Sequence, residues 1–356
     1  MPDLTNLGIE NAGKYADVLR SDPIAMEQYH EMLSDPSLTM ITTEQGKTII
    51  KEQQYPIKSG VAIAKTKPWS SWWFPAKEDY LFADSRIRYS SPLSKYDAYT
   101  QKYLDEDDIE RSSNTAVSFE RKIFNPNALP WEGLCDAWAI AAIASPEPLK
   151  SVKVKSRMKD ENITFSVGDL KALILKTYEG TDDLGLKYYG QKFTGNFDGW
   201  IYPDLFPEQF HRFIEVQLFK NKEPFIMDHD PGPEVWNVPV FKANYIIDKI
   251  PGKPDSLFVR TWLYSAESVQ RDKIDFVGTK EAVREYNYVL EGDRNSNGDL
   301  VIHRGYWVVG PDGVDSRRDH PDYVIRIPDI KKLIRKSWNP AIKVKAVDEL
   351  VRLSGQ

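Results

Sequence analysis

The sequence predicts an α+β fold, and three observations carry the prediction. Apolar residues recur at helical spacing through most of the chain up to about residue 220. After Phe225 the pattern changes to short β-rich runs separated by Pro, Gly, Asp and Asn. The order, helices first and an antiparallel sheet second, is that of an α+β chain and not of alternating βα units.

The elements follow in order. Leu7, Tyr15, Val18 and Leu19 lie near helical spacing, and Asp22-Pro23 reads as a cap with Pro in the first turn of a second helix through Ile24, Met26, Tyr29, Met32 and Leu33. The stretch from Asp35 to Gly60 is polar with short β-prone pieces such as Thr48-Ile49-Ile50, and residues 1–60 are expected to form a helical N-terminal appendage. Pro68 to Pro75 brackets Trp69, Trp72, Trp73 and Phe74, which cannot all face one side of a regular element. That segment is either an ordered loop lidding the core or one wall of a substrate cleft. Asp105–Asp108 reads as a solvated acidic patch. Helices are expected after Leu134, from Val167 to Tyr178 and from Pro207 to Lys220. Strands are expected at 225–227, 238–247, 257–264, 286–290, 300–309 and 323–327. The tail from Lys331 is basic and helical in pattern. The domain reading is an appendage over 1–60, a catalytic domain over 61–330 and a C-terminal helical tail over 331–356.

Composition narrows the function classes. The chain has 356 residues, 41% hydrophobic and 28% charged, which suits a folded chain large enough for one sizeable domain or two. A net charge of -6 and the lack of a basic run interleaved with aromatics argue against nucleic acid as a partner. No apolar run approaches the length of a membrane span. Cys135 is the one cysteine, so neither an intramolecular disulfide nor an all-cysteine metal site can form.

The chemistry concentrates at Trp131-Glu132-Gly133-Leu134-Cys135-Asp136-Ala137-Trp138-Ala139. A loop with Pro130 and Gly133 runs into a helix that carries Cys135 in its first turn. There the thiol meets the positive end of the helix dipole and unpaired backbone N–H groups, both of which favour thiolate, the nucleophilic form. The same N–H groups suit an oxyanion. The pattern Gly-x-Cys-x-x-Trp-Ala resembles the active-site helix of papain-like cysteine proteases. That resemblance implies a papain-like core, with a helical lobe carrying the Cys and an antiparallel sheet lobe.

A thiol of this kind needs a base, and the candidates are His30, His211, His229, His303 and His320. In papain-like folds the base opens a strand packed on the Cys helix. His320 fits that place best, at Asp319-His320-Pro321-Asp322-Tyr323, with His229 and His211 behind it. Asp322 is the candidate to orient the ring.

A closer resemblance spans roughly residues 68–325. Glu234-Val235-Trp236-Asn237-Val238-Pro239-Val240 is similar to the Val-Trp-Asn-Gln-Pro-Val core of the elicitor peptide of oomycete transglutaminases. The Cys135 segment, Pro68–Pro75, Ser91-Pro92 to Tyr96, Phe210-His211, Phe225–Asp228 and His320–Tyr323 fall in the same order as that family's landmarks. The chain thus resembles the oomycete and bacterial transglutaminase elicitor family. The resemblance implies a calcium-dependent transamidase with Cys135 as nucleophile, acting on protein substrates, a glutamine donor and a lysine or amine acceptor. It also implies secretion, so a secreted or periplasmic protein is expected, its signal peptide absent from this sequence. Trp236, Asn237, Pro239 and Trp138 are the candidate substrate-binding residues. Val238 stands where the elicitor core has Gln, and residues after Val240 do not match it.

Asp293-Arg294-Asn295-Ser296-Asn297-Gly298-Asp299 matches the first half of an EF-hand loop, with oxygen donors at alternate positions and Gly at the sixth. Asp293, Asn295, Asn297 and Asp299 are the candidate calcium ligands. Arg304 stands at the twelfth position, where a bidentate Glu would be, and a bare Asn-Gly hairpin turn is the competing reading. Taken together these features lead to a transglutaminase. A cysteine peptidase or glutamine deamidase, and a non-enzymatic recognition protein on the same scaffold, are the alternatives.

Overall fold

Where the sequence turns β-rich, the chain builds one large antiparallel sheet. The structure, a computed structural model, describes residues 61–83, 90–101, 114–157, 160–181, 185–190, 205–229, 232, 234–308 and 320–355, with the backbone of 49–50 and 57–58. Most of the expected appendage over 1–60, the patch Asp105–Asp108 and His30 lie outside the described residues. The strands are β1 (Ile49–Ile50), β2 (Ile57–Lys58), β3 (Ala62–Ile63), β4 (Val152–Lys155), β5 (Asn162–Phe165), β6 (Lys187–Gly190), β7 (Phe225–Asp228), β8 (Asn237–Ile250), β9 (Lys253–Ala266), β10 (Glu281–Arg294), β11 (Leu300–Trp307) and β12 (Tyr323–Arg326). The α-helices are α1 (Pro92–Thr100), α2 (Ala116–Ile123), α3 (Cys135–Ala144), α4 (Val167–Tyr178), α5 (Pro207–Ile214) and α6 (Val344–Ser354).

The expected α+β class holds. Contacts divide the chain into two units, one built from 1–67, 188–265 and 281–326, the other from 68–187, 266–280 and 327–356. The interval 61–330, read from the sequence as one domain, contributes to both.

In the sheet unit the strand order is β1-β11-β10-β9-β8-β7-β12-β6, with β2 and β3 also pairing β8. The two strands 49–50 and 57–58 show that the stretch before residue 60 is extended where it is described. The hairpin β8–β9 turns at Gly252, whose φ of 75° is a conformation that a side chain would strain. Pro239 lies opposite Ile226 of β7, beside a register shift between Val240 and Lys242 on the β9 side. A proline, lacking its N–H, is tolerated at such an irregularity. Helix α5 carries Phe210, Phe213 and Ile214 into a core with Val240, Leu263, Leu290 and Trp307 of the sheet. The expected helix through Lys220 is α-helical only to Ile214 and continues as a π-helical turn over Glu215–Lys220.

The helical unit owes its ends to side-chain caps. Ser91 caps α1, and Thr115 and Ser166 close reciprocal capping boxes at α2 and α4. Buried Asp97 accepts the N–H groups of Ala116 and Val117 at 2.7 and 3.0 Å, adding a carboxylate to the start of α2. The small hairpin β4–β5 completes the unit with α6, the one α-helix among the described residues of the expected tail.

Candidate active site

The cysteine sits as the first residue of α3, as the loop-to-helix reading expects. The helix has no side-chain cap at Leu134, and its first N–H with an intrahelical partner is that of Trp138, to the Leu134 carbonyl at 2.8 Å. The helix start therefore puts the positive end of its dipole beside the thiol. Cys135 is only 6% exposed. Its sulfur lies 3.3 Å from Asp136 Oδ1, which accepts the S–H.

Gly133 sets the close approach that makes this junction. A Cβ there would lie 2.4 Å from Trp73 Cε3 and 3.0 Å from the Phe74 carbonyl oxygen. The Leu134 N–H donates to Trp73 O at 2.7 Å, and Ala76 N–H donates to Glu132 O at 2.8 Å, so the aromatic segment runs against the cysteine loop. Trp69, Trp72 and Phe74 are buried, which favours the lid over the open cleft wall for these three rings. Trp138, offered as a substrate contact, is 2% exposed, and its indole N–H donates to Trp69 O at 3.0 Å, which ties the lid to α3.

The lid has a second anchor that sequence reasoning missed. Lys171, fully buried on α4, donates to Ser70 O at 2.6 Å, Glu147 Oε1 at 2.7 Å and Phe276 O at 2.7 Å. Glu147 in turn accepts the Gly278 N–H. Burial pushes the Lys171 ammonium pKa down, and the Glu147 carboxylate opposes that. The available signal was a lysine inside the apolar run Leu170–Leu175.

The other candidates gather in the sheet unit at one end of β8, β7 and β12. Asp228 pairs with Asn237 across β7–β8, and its Oδ1 accepts the Trp236 N–H at 3.0 Å. Asn237 Nδ2 donates to Tyr323 Oη at 2.9 Å, at the start of β12. Immediately before that strand, His320 is 1% exposed and stacked on Trp307, with centroids 5.5 Å apart and planes 14° apart. Trp307 is itself held by donation to Leu205 O. Asp322 is fully buried, and a Cβ at Gly190 would stand 2.4 Å from its carbonyl oxygen. So Trp236, Asn237, Pro239, His320 and Asp322 belong to the sheet unit, and Cys135 and Trp138 to the helical unit.

The rival histidines have other occupations. His211 is buried in the sheet unit's core, its Nδ1 2.7 Å from Tyr288 Oη. Burial pushes its pKa down to about 4, so it is neutral at neutral pH. His229 is half-buried, and its carbonyl accepts from Tyr286 Oη. His303 Nε2 lies 2.6 Å from Asp293 Oδ2.

That last contact bears on the calcium reading. Asn295 Oδ1 accepts the N–H groups of Asn297 and Asp299 at 3.0 and 2.9 Å, and Gly298 N–H closes the turn on Asn295 O. Arg294 donates to the Gly298 carbonyl at 2.6 Å. Asn295 Oδ1 is thus engaged in the turn and Asp293 Oδ2 by His303 of β11, and the loop between β10 and β11 does not fit a preformed cation cage. Among the described residues no group of three or more His, Cys, Asp or Glu is placed to hold a metal.

Residues 126–250, about a third of the chain, match the family model described as Transglutaminase elicitor. Over that span the chain is similar to the transglutaminase elicitors. The span includes Cys135 and the Trp236–Val240 strand and ends before His320. The fold is similar to that in the crystal structure of the GP42 transglutaminase from Phytophthora sojae, with a TM-score of 0.57 and 18% identity over 93% of this chain and 97% of that one. At that identity the likeness to GP42 is one of fold. No curated protein matches the chain in sequence. No described helix is long and apolar enough to cross a membrane.

Proposed function

We propose that this chain is a protein-glutamine γ-glutamyltransferase working through a thioester on Cys135. The observation that supports it most is the placement of Cys135 at the uncapped start of α3, behind Gly133, inside the span matched by the transglutaminase elicitor family. In this reading Cys135 Sγ attacks the side-chain carboxamide carbon of a protein-bound glutamine, and the helix-start N–H groups receive the oxyanion. The C–N bond breaks, ammonia leaves, and a thioester remains. A primary amine then attacks the thioester carbon, an isopeptide bond forms and the thiol is restored. His320, rather than His229 or His211, takes the thiol proton and returns it to the departing ammonia, with Asp322 orienting the ring. Trp236, Asn237 and Pro239 contribute to the substrate strand.

Kinship with papain-like enzymes and a secreted or periplasmic location belong to this proposal, supported by the Gly133–Ala139 pattern and by the family resemblance. Calcium is part of it only if the loop rearranges, since Asn295 would have to release two backbone N–H groups. The direct test is ammonia release from a glutamine peptide with and without a primary amine. Release that rises with amine and covalent incorporation of that amine support transfer. Release without incorporation supports a deamidase, and cleavage of the peptide backbone supports a peptidase.

One observation favours a second reading, recognition without catalysis. Trp236 is half-buried at the strand start, its indole N–H donating to exposed Glu234, as a displayed side chain would be. A Cys135→Ser protein that keeps its recognition activity would separate the two.

A further inference from the structure

Between β12 and α6 the helical unit carries the run Ile330-Lys331-Lys332-Leu333-Ile334-Arg335-Lys336-Ser337-Trp338. It holds four cations and no carboxylate, in a chain whose net charge is -6. The run opens with a 3-10 turn over Ile330–Lys332 and continues as a strap without helix or strand. Its inner side is pinned to the unit. Leu333 lies over Gly185, where a Cβ would stand 2.9 Å from Leu333 Cδ2. Arg335 donates to Thr177 Oγ1 at 2.7 Å and to Asp348 Oδ1 at 2.6 Å. Ser337 Oγ donates to Glu179 Oε2 at 3.3 Å, and the Gly180 N–H donates to Lys336 O at 2.9 Å.

The outer side carries what these anchors do not use. Burial alternates from Leu333 to Trp338, so Ile334, Lys336 and Trp338 are the residues turned to solvent. Ile330, Ile334 and Trp338 are 44%, 60% and 67% exposed, and Lys331 and Lys332 are exposed beside them. Asp329, just before the run, accepts the Lys331 N–H at 3.0 Å and lies 3.8 Å from Lys332 Nζ. The backbone is held at several points, so these side chains are displayed by a fixed strap.

Cations interleaved with large apolar side chains suit a surface that is anionic at its face and apolar just beneath it. A phospholipid headgroup layer over its acyl chains has that profile. Lysine stems lie along apolar neighbours while the ammonium groups reach phosphates, and an indole favours the same boundary. A soluble polyanion would satisfy the lysines and leave Ile330 and Ile334 in water. An apolar protein groove would take the isoleucines and leave the lysines without counter-charge. The net negative charge of the chain does not forbid the contact, because exposed charges beyond a Debye length of about 10 Å are largely screened.

We propose that this strap is a peripheral membrane-docking surface, which lays Ile334 and Trp338 into the interface of an anionic phospholipid bilayer and sets Lys331, Lys332 and Lys336 on its phosphates. The proposal is independent of the chemistry assigned to Cys135. Its test is sedimentation of the full chain with vesicles of phosphatidylcholine alone and of phosphatidylcholine mixed with phosphatidylglycerol, at low and high salt. The chain should pellet with the anionic vesicles, less so at high salt, and stay in solution with the neutral ones. The triple variant Lys331→Gln, Lys332→Gln, Lys336→Gln should weaken binding about a hundredfold, at roughly fivefold per lysine. The double variant Ile334→Ser, Trp338→Ser keeps the charge and should weaken it about tenfold or more. If circular dichroism shows that the double variant does not fold, the triple variant, whose three sites are exposed, carries the test. No binding to anionic vesicles, equal binding to neutral ones, or unchanged binding in a folded variant overturns the proposal. So does an oligonucleotide that binds wild type and the folded double variant equally well while the double variant keeps its hold on the vesicles, since that marks a general polyanion site.

Discussion

At the scale of single residues, Gly133 and His211 show two different constraints. Gly133 is required by close approach, because a Cβ would meet a Trp73 ring carbon at 2.4 Å and backbone at 3.0 Å. Gly133→Ala should cost about 1–3 kcal/mol, the usual range for overpacking. It should also lower turnover by moving the loop that positions Cys135. A thermal melt and an activity assay would check both, and a variant with wild-type Tm would show that Trp73 gives way freely. His211 is held neutral by burial, with its pKa down at about 4. The unfolded chain takes up that proton near pH 6.5 and the folded chain only near 4, so His211 makes stability fall as pH drops across that window. The loss is on the order of 3 kcal/mol at about 1.4 kcal/mol per pH unit. His211→Gln should flatten the decline of stability between pH 6.5 and 4, measured by urea melts, and an unchanged slope would contradict the assignment. His320→Ala should slow turnover far more than His211→Ala or His229→Ala.

At the scale of elements, the lid over Pro68–Pro75 depends on Lys171 reaching from α4 to two separate loops. Lys171→Met strands the Glu147 carboxylate, which is mostly buried, and should cost about 3–5 kcal/mol. Adding Glu147→Gln should recover a large part of that loss, and a double-mutant cycle that shows no coupling would contradict the clamp. The β10–β11 loop makes the other element-level prediction. With Asn295 Oδ1 on two backbone N–H groups and Asp293 on His303, millimolar calcium should leave Tm unmoved. A rise in Tm that Asp293→Ala removes would show that the loop opens to the ion. The start of α3, the extent of α4 and the strand runs were readable because the loop-to-helix motif and the apolar periodicity are local. The lid anchors were not, because Lys171 meets Phe276 across 105 residues of sequence, and no local pattern marks that pairing. The π-helical turn after Ile214 was also hidden, since its apolar spacing continues that of α5.

At the scale of the molecule, the sequence order of helices and strands gave the class but not the partition. Segment 266–280 lies between two sheet strands and yet packs with the helical unit, through Phe276 on Lys171 and Gly278 on Glu147. That excursion is a tertiary contact, which the linear order of elements behind the 61–330 reading does not carry. The site was legible in parts. Gly133 and Cys135 declared themselves by motif and by helix start, and Trp236–Val240 by resemblance. The use of Trp138 as an anchor was not legible, because burial of an indole depends on the segment folded over it. The account as a whole turns on Cys135 as the nucleophile of an acyl transfer. The most direct measurement is covalent incorporation of cadaverine into a glutamine-containing protein, with ammonia release followed in parallel, by wild type and by folded Cys135→Ser. Wild type should show both, and Cys135→Ser should lose them by orders of magnitude. Activity in the serine variant above about a tenth of wild type would contradict the account, since an activated thiol nucleophile cannot be removed at so small a loss.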